Sequence, residues 1–190
     1  MRPARWREAL RRSPDDKAVL RSAGFAFSIC GRYEEGLPLS ERAVRRDPHS
    51  TWAAAYLAYG LIMSAKDVAR GLALLDDVLC RDPLIPSRAF WLYCQAIVFA
   101  RQGNLDTAVS KLRESVRVDP LYSFSRVDLA KCLVELGRTD EAQGEIDEVR
   151  RLYPELTIDS IVATVRHLSG DKEAAGYARA IGGLWESEPK

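Results

Sequence analysis

Histidine is the scarcest chemistry-bearing residue in this chain. His49 and His167 are the only two among 190 residues, and their separation suits neither a metal pair nor a base beside a nucleophile. His49 reads as a loop residue between helical segments, His167 as a side chain packed into the terminal helices. Cysteine is almost as rare: Cys30, Cys80, Cys94 and Cys132 lie far apart inside helical segments with no C-x-x-C pair. They read as small, buried, reduced thiols, which suits the cytosol. There is no Walker-type loop, no G-x-G-x-x-G after a strand and no G-x-S-x-G. No metal, cofactor or catalytic residue is expected, and the chain does not read as an enzyme.

Long apolar runs are missing too. Trp52–Met63 and Ala89–Ala100 are the strongest, at twelve residues each, against the roughly 20 that a spanning helix needs. They read as core. Arginines ahead of Ala23–Cys30 imitate a signal peptide, but Asp15 and Asp16 intervene, so the expectation is a cytoplasmic protein without export. Charge of one sign does not accumulate: 28 Lys and Arg face 27 Asp and Glu, which leaves no field to draw in nucleic acid or an anionic membrane. Arg2, Arg5, Arg7, Arg11 and Arg12 face only Glu8 near the start and read as a solvated helix face. The carboxylate pairs Glu34-Glu35 and Asp76-Asp77 read the same way.

What the chain does have is a repeat. Gly31–Pro48 (GRYEEGLPLSERAVRRDP), Gly103–Pro120 (GNLDTAVSKLRESVRVDP) and Gly137–Pro154 (GRTDEAQGEIDEVRRLYP) share one plan. Each opens on glycine, carries a small residue five positions on at Gly36, Ala108 or Ala142, and closes on proline. Lys66–Pro83 is a fourth copy with lysine in the glycine's place. The prolines Pro14, Pro48, Pro83, Pro120 and Pro154 recur at intervals of 34, 35, 37 and 34 residues. An apolar-rich segment precedes each copy, so one unit holds two helices with a glycine turn between them and a proline stop after them.

In these residues the chain resembles the tetratricopeptide repeat (TPR) family. The family's small residue on first helices matches Gly24, Ala96 and Ala130. Its small residue on second helices matches Gly36, Gly71, Ala108 and Ala142, and its terminal proline matches Pro48, Pro83, Pro120 and Pro154. The family's first-helix tryptophan is replaced by Leu20, Leu92 and Arg126, and the second unit's first helix is one residue out of step. The resemblance implies an all-α fold, a right-handed α-solenoid of stacked antiparallel helix pairs, in one array over 1–190. Repeats are expected at 16–48, 51–83, 87–120 and 123–154, with a partial unit or cap helix at 2–13, a capping helix pair at 157–184 and a tail at 185–190. Residues 2–13 look like the second helix of a unit whose first helix is absent, as a cap or as the edge of a longer array.

Local features refine this. Ser50 or Thr51 is the expected N-cap of the second repeat, and Pro38 inside a second helix is expected to bend it. Three extra residues around Leu84–Ser87 lengthen one connection. A break near Ser169-Gly170-Asp171 splits the last pair, whose second helix is expected to end at Gly182-Gly183.

In TPR proteins the first helices line the concave side. That implies a groove presenting Arg21 and Phe25, then Tyr56, then Phe90, Tyr93, Ile97 and Arg101, then Phe124 and Lys131. Aromatic anchors with cations at intervals fit a peptide or partner protein with apolar anchors and acidic character. The family's chaperone-tail clamp is not expected, because its places hold Arg21, Phe25, Leu57, Phe90 and Cys94. The expectation is a non-catalytic protein-interaction module, with a stack end available for self-association. The PELTID entry to the last helices also resembles the end of TPR regions attached to bacterial adenylate cyclases and signalling regulators. The alternative is therefore a regulatory or oligomerisation arm of a larger signalling enzyme.

Overall fold

The computed structural model describes residues 3–186 and divides into two compact units, Met1–Cys94 and Gln95–Lys190. Among the described residues there are only α-helices and the turns between them. The first unit holds α1 (Pro3–Arg12), α2 (Lys17–Ile29), α3 (Tyr33–Arg46), α4 (Thr51–Met63), α5 (Val68–Arg81) and the start of α6 (Arg88–Arg101). The second holds the rest of α6, then α7 (Leu105–Val118), α8 (Ser123–Glu135), α9 (Thr139–Leu152), α10 (Ile158–Ser169) and α11 (Asp171–Glu186). The tail at 187–190 and Arg2 lie outside the described residues.

Several helices begin where a short polar side chain can take up a free backbone N–H. Asp16 accepts from Val19 N at 2.8 Å, Ser50 from Ala53 N at 3.2 Å, Asp67 from Arg70 N at 3.0 Å and Asn104 from Thr107 N at 3.3 Å. Ser50, not Thr51, is thus the cap of α4. Three first helices lead into a left-handed glycine: Gly31, Gly103 and Gly137 have φ of 72°, 77° and 74°. In all three turns the next N–H reaches back five residues, from Arg32 to Phe27 O, Asn104 to Phe99 O and Arg138 to Leu133 O.

The turn after α4 differs from the expected register. The left-handed residue there is Ala65, with φ 56°, and not Lys66. Lys66 N bonds to Ser64 Oγ, and Asp67 caps α5, so this turn holds one residue more than the glycine turns. That extra residue is why the second repeat's first helix reads one position out of step. Counted from Ala65, Ala58 takes the place that Gly24 has before Gly31.

Packing inside each pair rests on the small residues. A Cβ added to Gly36 would stand 2.7 Å from Gly24 O and 3.0 Å from Ser28 N, and one added to Gly71 would stand 3.1 Å from Ala58 O. The backbones of α2 and α3, and of α4 and α5, therefore touch where those residues meet. In the second unit Ala108, Ala130 and Ala142 are fully buried at the matching places. The first helix α4 also packs on both helices before it, α2 and α3. Leu20, Ala43 and Ala53 form one cluster of this core, and Leu37, Leu57 and Leu61 another.

Outward-facing charges on second helices link one repeat to the next. Arg7 on α1 reaches Glu35 on α3 at 3.1 Å, Arg70 on α5 takes Glu41 on α3 through two nitrogens at 2.7 and 3.2 Å, and Arg113 on α7 meets Glu141 on α9 at 2.6 Å. Exposed pairs of this kind add little stability each, but they occupy the second-helix face. Glu35 is held ionised below its usual range by Arg7 and then Arg32.

Several local expectations are corrected. Cys30 and Cys80 are exposed, because each sits at the end of a helix on its outer side; only Cys94 and Cys132 are buried. His167 is exposed, since the apolar stripe of α10 runs through Ile158, Ile161, Val162 and Val165 and leaves it outside. The helix expected to stop at Gly182-Gly183 continues as α11 to Glu186, where Gln143 Nε2 donates to Leu184 O at 3.1 Å and keeps the last turn seated. Pro38 lies within α3, which runs unbroken from Tyr33 to Arg46.

Ala65 carries the strain that glycine would relieve. Ala65→Gly is expected to raise the urea midpoint, by about 1 kcal/mol of stability, after the gain at the turn is offset by the looser unfolded chain. A lower midpoint would show that this turn is not strained.

Candidate partner-binding site

The first-helix face of the first unit is built from rings. Phe25 on α2 lies flat on Tyr56 of α4, with centroids 4.0 Å apart and planes 7° from parallel. Phe90 on α6 meets Phe25 edge-on at 6.5 Å and Tyr59 at 5.7 Å. Three of the expected groove residues are thus brought into one cluster, and all three are half-buried. Edge-to-face and offset contacts of this kind fix ring positions as well as burying area.

Trp91, Tyr59 and Trp52 belong to the same cluster and were not singled out from the sequence. Trp91 is fully buried 4.7 Å from Phe90 and 6.0 Å from Phe25, and Trp52 meets Tyr56 at 5.5 Å. The available signal was the spacing: Trp52 and Tyr56 stand one turn apart on α4, and Trp91 directly follows Phe90. Burial pushes the hydroxyl pKa of Tyr59 and of Tyr56 up, with the nearby Arg21 working against it at Tyr56.

Arg21 stands one turn before Phe25 and is half-buried. Its Nε is buried without a hydrogen-bond partner, and the guanidinium makes no ion pair among the described residues. That contrasts with Arg42, Arg46 and Arg70 on second helices or their ends, each of which holds a carboxylate. Tyr93, also expected in the groove, is half-buried on the same helix as Phe90.

The second unit treats its expected residues differently. Ile97 is half-buried and Arg101 exposed at the end of α6. Phe124, at the start of α8, is 44% exposed and tilts against Tyr122 at 5.8 Å. Val118 and Leu121, also exposed, flank the same connection. Lys131 is already engaged within the unit: its ammonium pairs with Glu135 at 2.7 Å and lies 5.5 Å from the Tyr177 ring centre on α11. No group of three or more His, Cys, Asp or Glu side chains stands ready to hold a metal among the described residues.

This ladder of helix pairs can now be compared with known proteins. Residues 99–164 match the family model described as tetratricopeptide repeat. Those residues carry TPR repeats. Solved TPR structures share the fold across nearly the whole chain. PilW, described as a widely conserved type IV pilus biogenesis factor, superposes with a TM-score of 0.73 at 19% identity, over 98% of this chain and 86% of its own. YrrB, described as a TPR protein with an unusual peptide-binding site, gives 0.61 at 14% identity, over 94% of this chain and 91% of its own. TTC0263, described as a thermophilic TPR protein in Thermus thermophilus, gives 0.62 at 23% identity, over 87% of this chain and 90% of its own. At these identities the likeness is one of fold. No curated protein matches the chain. Among the described residues no helix is long and apolar enough to cross a membrane.

The buried thiol of a TPR first helix supplies a pH test. Burial first, and the Asp128 carboxylate next, push Cys132 from 9.0 up to about 12. The folded chain holds this proton more tightly than the unfolded one, so the stability it contributes is full below the unfolded value and is lost as pH rises towards the folded one. Urea midpoints measured from about pH 8 to about pH 11 should therefore fall, and fall less steeply for Cys132→Ala. Equal slopes for the two proteins would remove Cys132 from that account.

Proposed function

We propose that the chain is a non-catalytic interaction module that holds a partner polypeptide against its first helices, in the cytoplasm and without a cofactor. The observation that carries this reading is the juxtaposition on α2 and α4: the stacked rings of Phe25 and Tyr56 beside Arg21, a half-buried guanidinium that pairs with no carboxylate among the described residues. Half-buried rings gain by being covered, and a guanidinium drawn partly out of water gains from an anion. A peptide with an aliphatic or aromatic anchor and an acidic side chain supplies both.

The second-helix face offers less. Its charges already pair from repeat to repeat, through Arg7–Glu35, Arg70–Glu41 and Arg113–Glu141, so a partner there would have to displace contacts the protein makes with itself. The residues proposed for contact are Arg21, Phe25, Tyr56, Phe90 and Tyr93 on the first unit and, taken separately, Ile97, Arg101 and Phe124 on the second. Lys131 has internal partners and is proposed to contribute only where α11 leaves it uncovered.

Selection from a displayed library of random peptides tests the reading whatever the natural partner is. Enriched sequences should combine an apolar anchor with an acidic residue. Arg21→Glu with Tyr56→Ala should weaken them at least about tenfold with helicity unchanged, whereas Arg113→Ala with Glu141→Ala should not. Peptides that bind the first pair of substitutions as tightly as the parent chain would place the site elsewhere.

A further inference from the structure

The last two helices do not continue the repeat in chain order. After α9 the next helix is α10, yet the helix that packs on α8 and α9, where a following first helix would lie, is α11; among the described contacts of this unit α10 packs on α11 alone. Gln143 near the start of α9 meets Leu184 near the end of α11. Polar contacts from α11 to α8 converge on one residue. The Tyr177 hydroxyl donates to Asp128 Oδ1, and the Lys131 ammonium lies over the Tyr177 ring. Ala174 and Ile181 are the buried side chains of α11, a short apolar seam for a sixteen-residue helix.

Against this hold stands the helix's own composition. Gly176, Gly182 and Gly183 all lie within α11, and a Cβ added to any of them would meet nothing within 4 Å. None is required by close approach, unlike Gly24, Gly36 and Gly71. Glycine in a helix interior without such a reason weakens the helix, and three of them weaken it repeatedly.

We infer that the α10–α11 hairpin is a detachable strap that opens while α7–α9 stay folded, uncovering a docking face on α8 and α9 that accepts α11 of a second copy. The occupant follows from what is seated there: the same helix supplied in trans presents the same hydroxyl to Asp128 and the same carbonyl to Gln143. Tyr153–Thr157, between α9 and α10, is the segment about which the hairpin swings. This inference stands apart from peptide binding at the rings of α2 and α4, and either can fail without the other.

Thiol labelling of the full chain, read at each cysteine by mass spectrometry, measures the opening. Cys132, one turn past Asp128 on α8, is 2% exposed and close enough to Tyr177 to bear on its ionisation. Cys94 in the first unit is buried and reports a different opening, while exposed Cys30 and Cys80 mark the unprotected rate. Cys132 should react at least about tenfold faster than Cys94, and Gly176→Ala with Gly182→Ala and Gly183→Ala should slow Cys132 alone. Equal protection of the two thiols, or a Cys132 rate unmoved by the triple substitution, overturns the strap. A labelled synthetic peptide of residues 171–186 tests the face itself. It should bind the unsubstituted chain saturably and the triple variant at least about tenfold more weakly, because the tightened strap competes better. No binding, or equal binding to both, overturns the docking face.

Discussion

Backbone lying against backbone inside each helix pair is the contact from which the rest of the architecture follows. Where Gly36 meets Gly24, and Gly71 meets Ala58, there is no room for even a methyl group to be added without a shift. Such an approach brings each second helix close enough to its first helix to bury Leu37, Leu57 and Leu75 between repeats. It also sorts the remaining side chains. Long charged residues are displaced outward on the second helices, where they pair with the next repeat. Several aromatic rings collect on the first-helix side of the first unit.

That sorting gives the two faces different capacities. On the second-helix side, arginine and glutamate already satisfy one another, so the surface is polar and self-contained. On the first-helix side of the first unit, Phe25, Tyr56 and Phe90 form a ring cluster backed by buried Trp91, with Arg21 at its edge pairing with no carboxylate among the described residues. The second unit shows a further use of the same geometry, in which α11 of the chain itself occupies the place of a following first helix.

Much of this was readable from the residues. The spacing of prolines and glycines marked the repeats, and the small residues at Gly36, Gly71, Ala108 and Ala142 marked the close contacts, because few other residue types meet those two demands. What escaped was decided by tertiary context. Ala65 takes a left-handed turn that glycine usually fills, so the extra residue beside Lys66 was hidden. Cys30 and Cys80 sit in apolar-rich segments but on their outer edges, which composition does not distinguish. Gly182-Gly183 looked like a helix end, yet contacts to α9 carry the helix past them. The order of α10 and α11 on α8 and α9 left no trace in local periodicity. Carrying the family's pattern over named Phe25, Tyr56 and Phe90, whose rings the fold brings together, but not Trp91, which backs them.

The same substitution at two glycines, each inside a second helix, tests the close-contact account most directly. Gly36 of α3 lies against Gly24, whereas Gly144 of α9 faces open space. Urea unfolding of Gly36→Ala should show a loss of about 1–3 kcal/mol, and of Gly144→Ala a gain of up to about 1 kcal/mol. Opposite signs are the predicted result. A Gly36→Ala chain as stable as the parent, or more so, would contradict the contact on which the helix pairs are built.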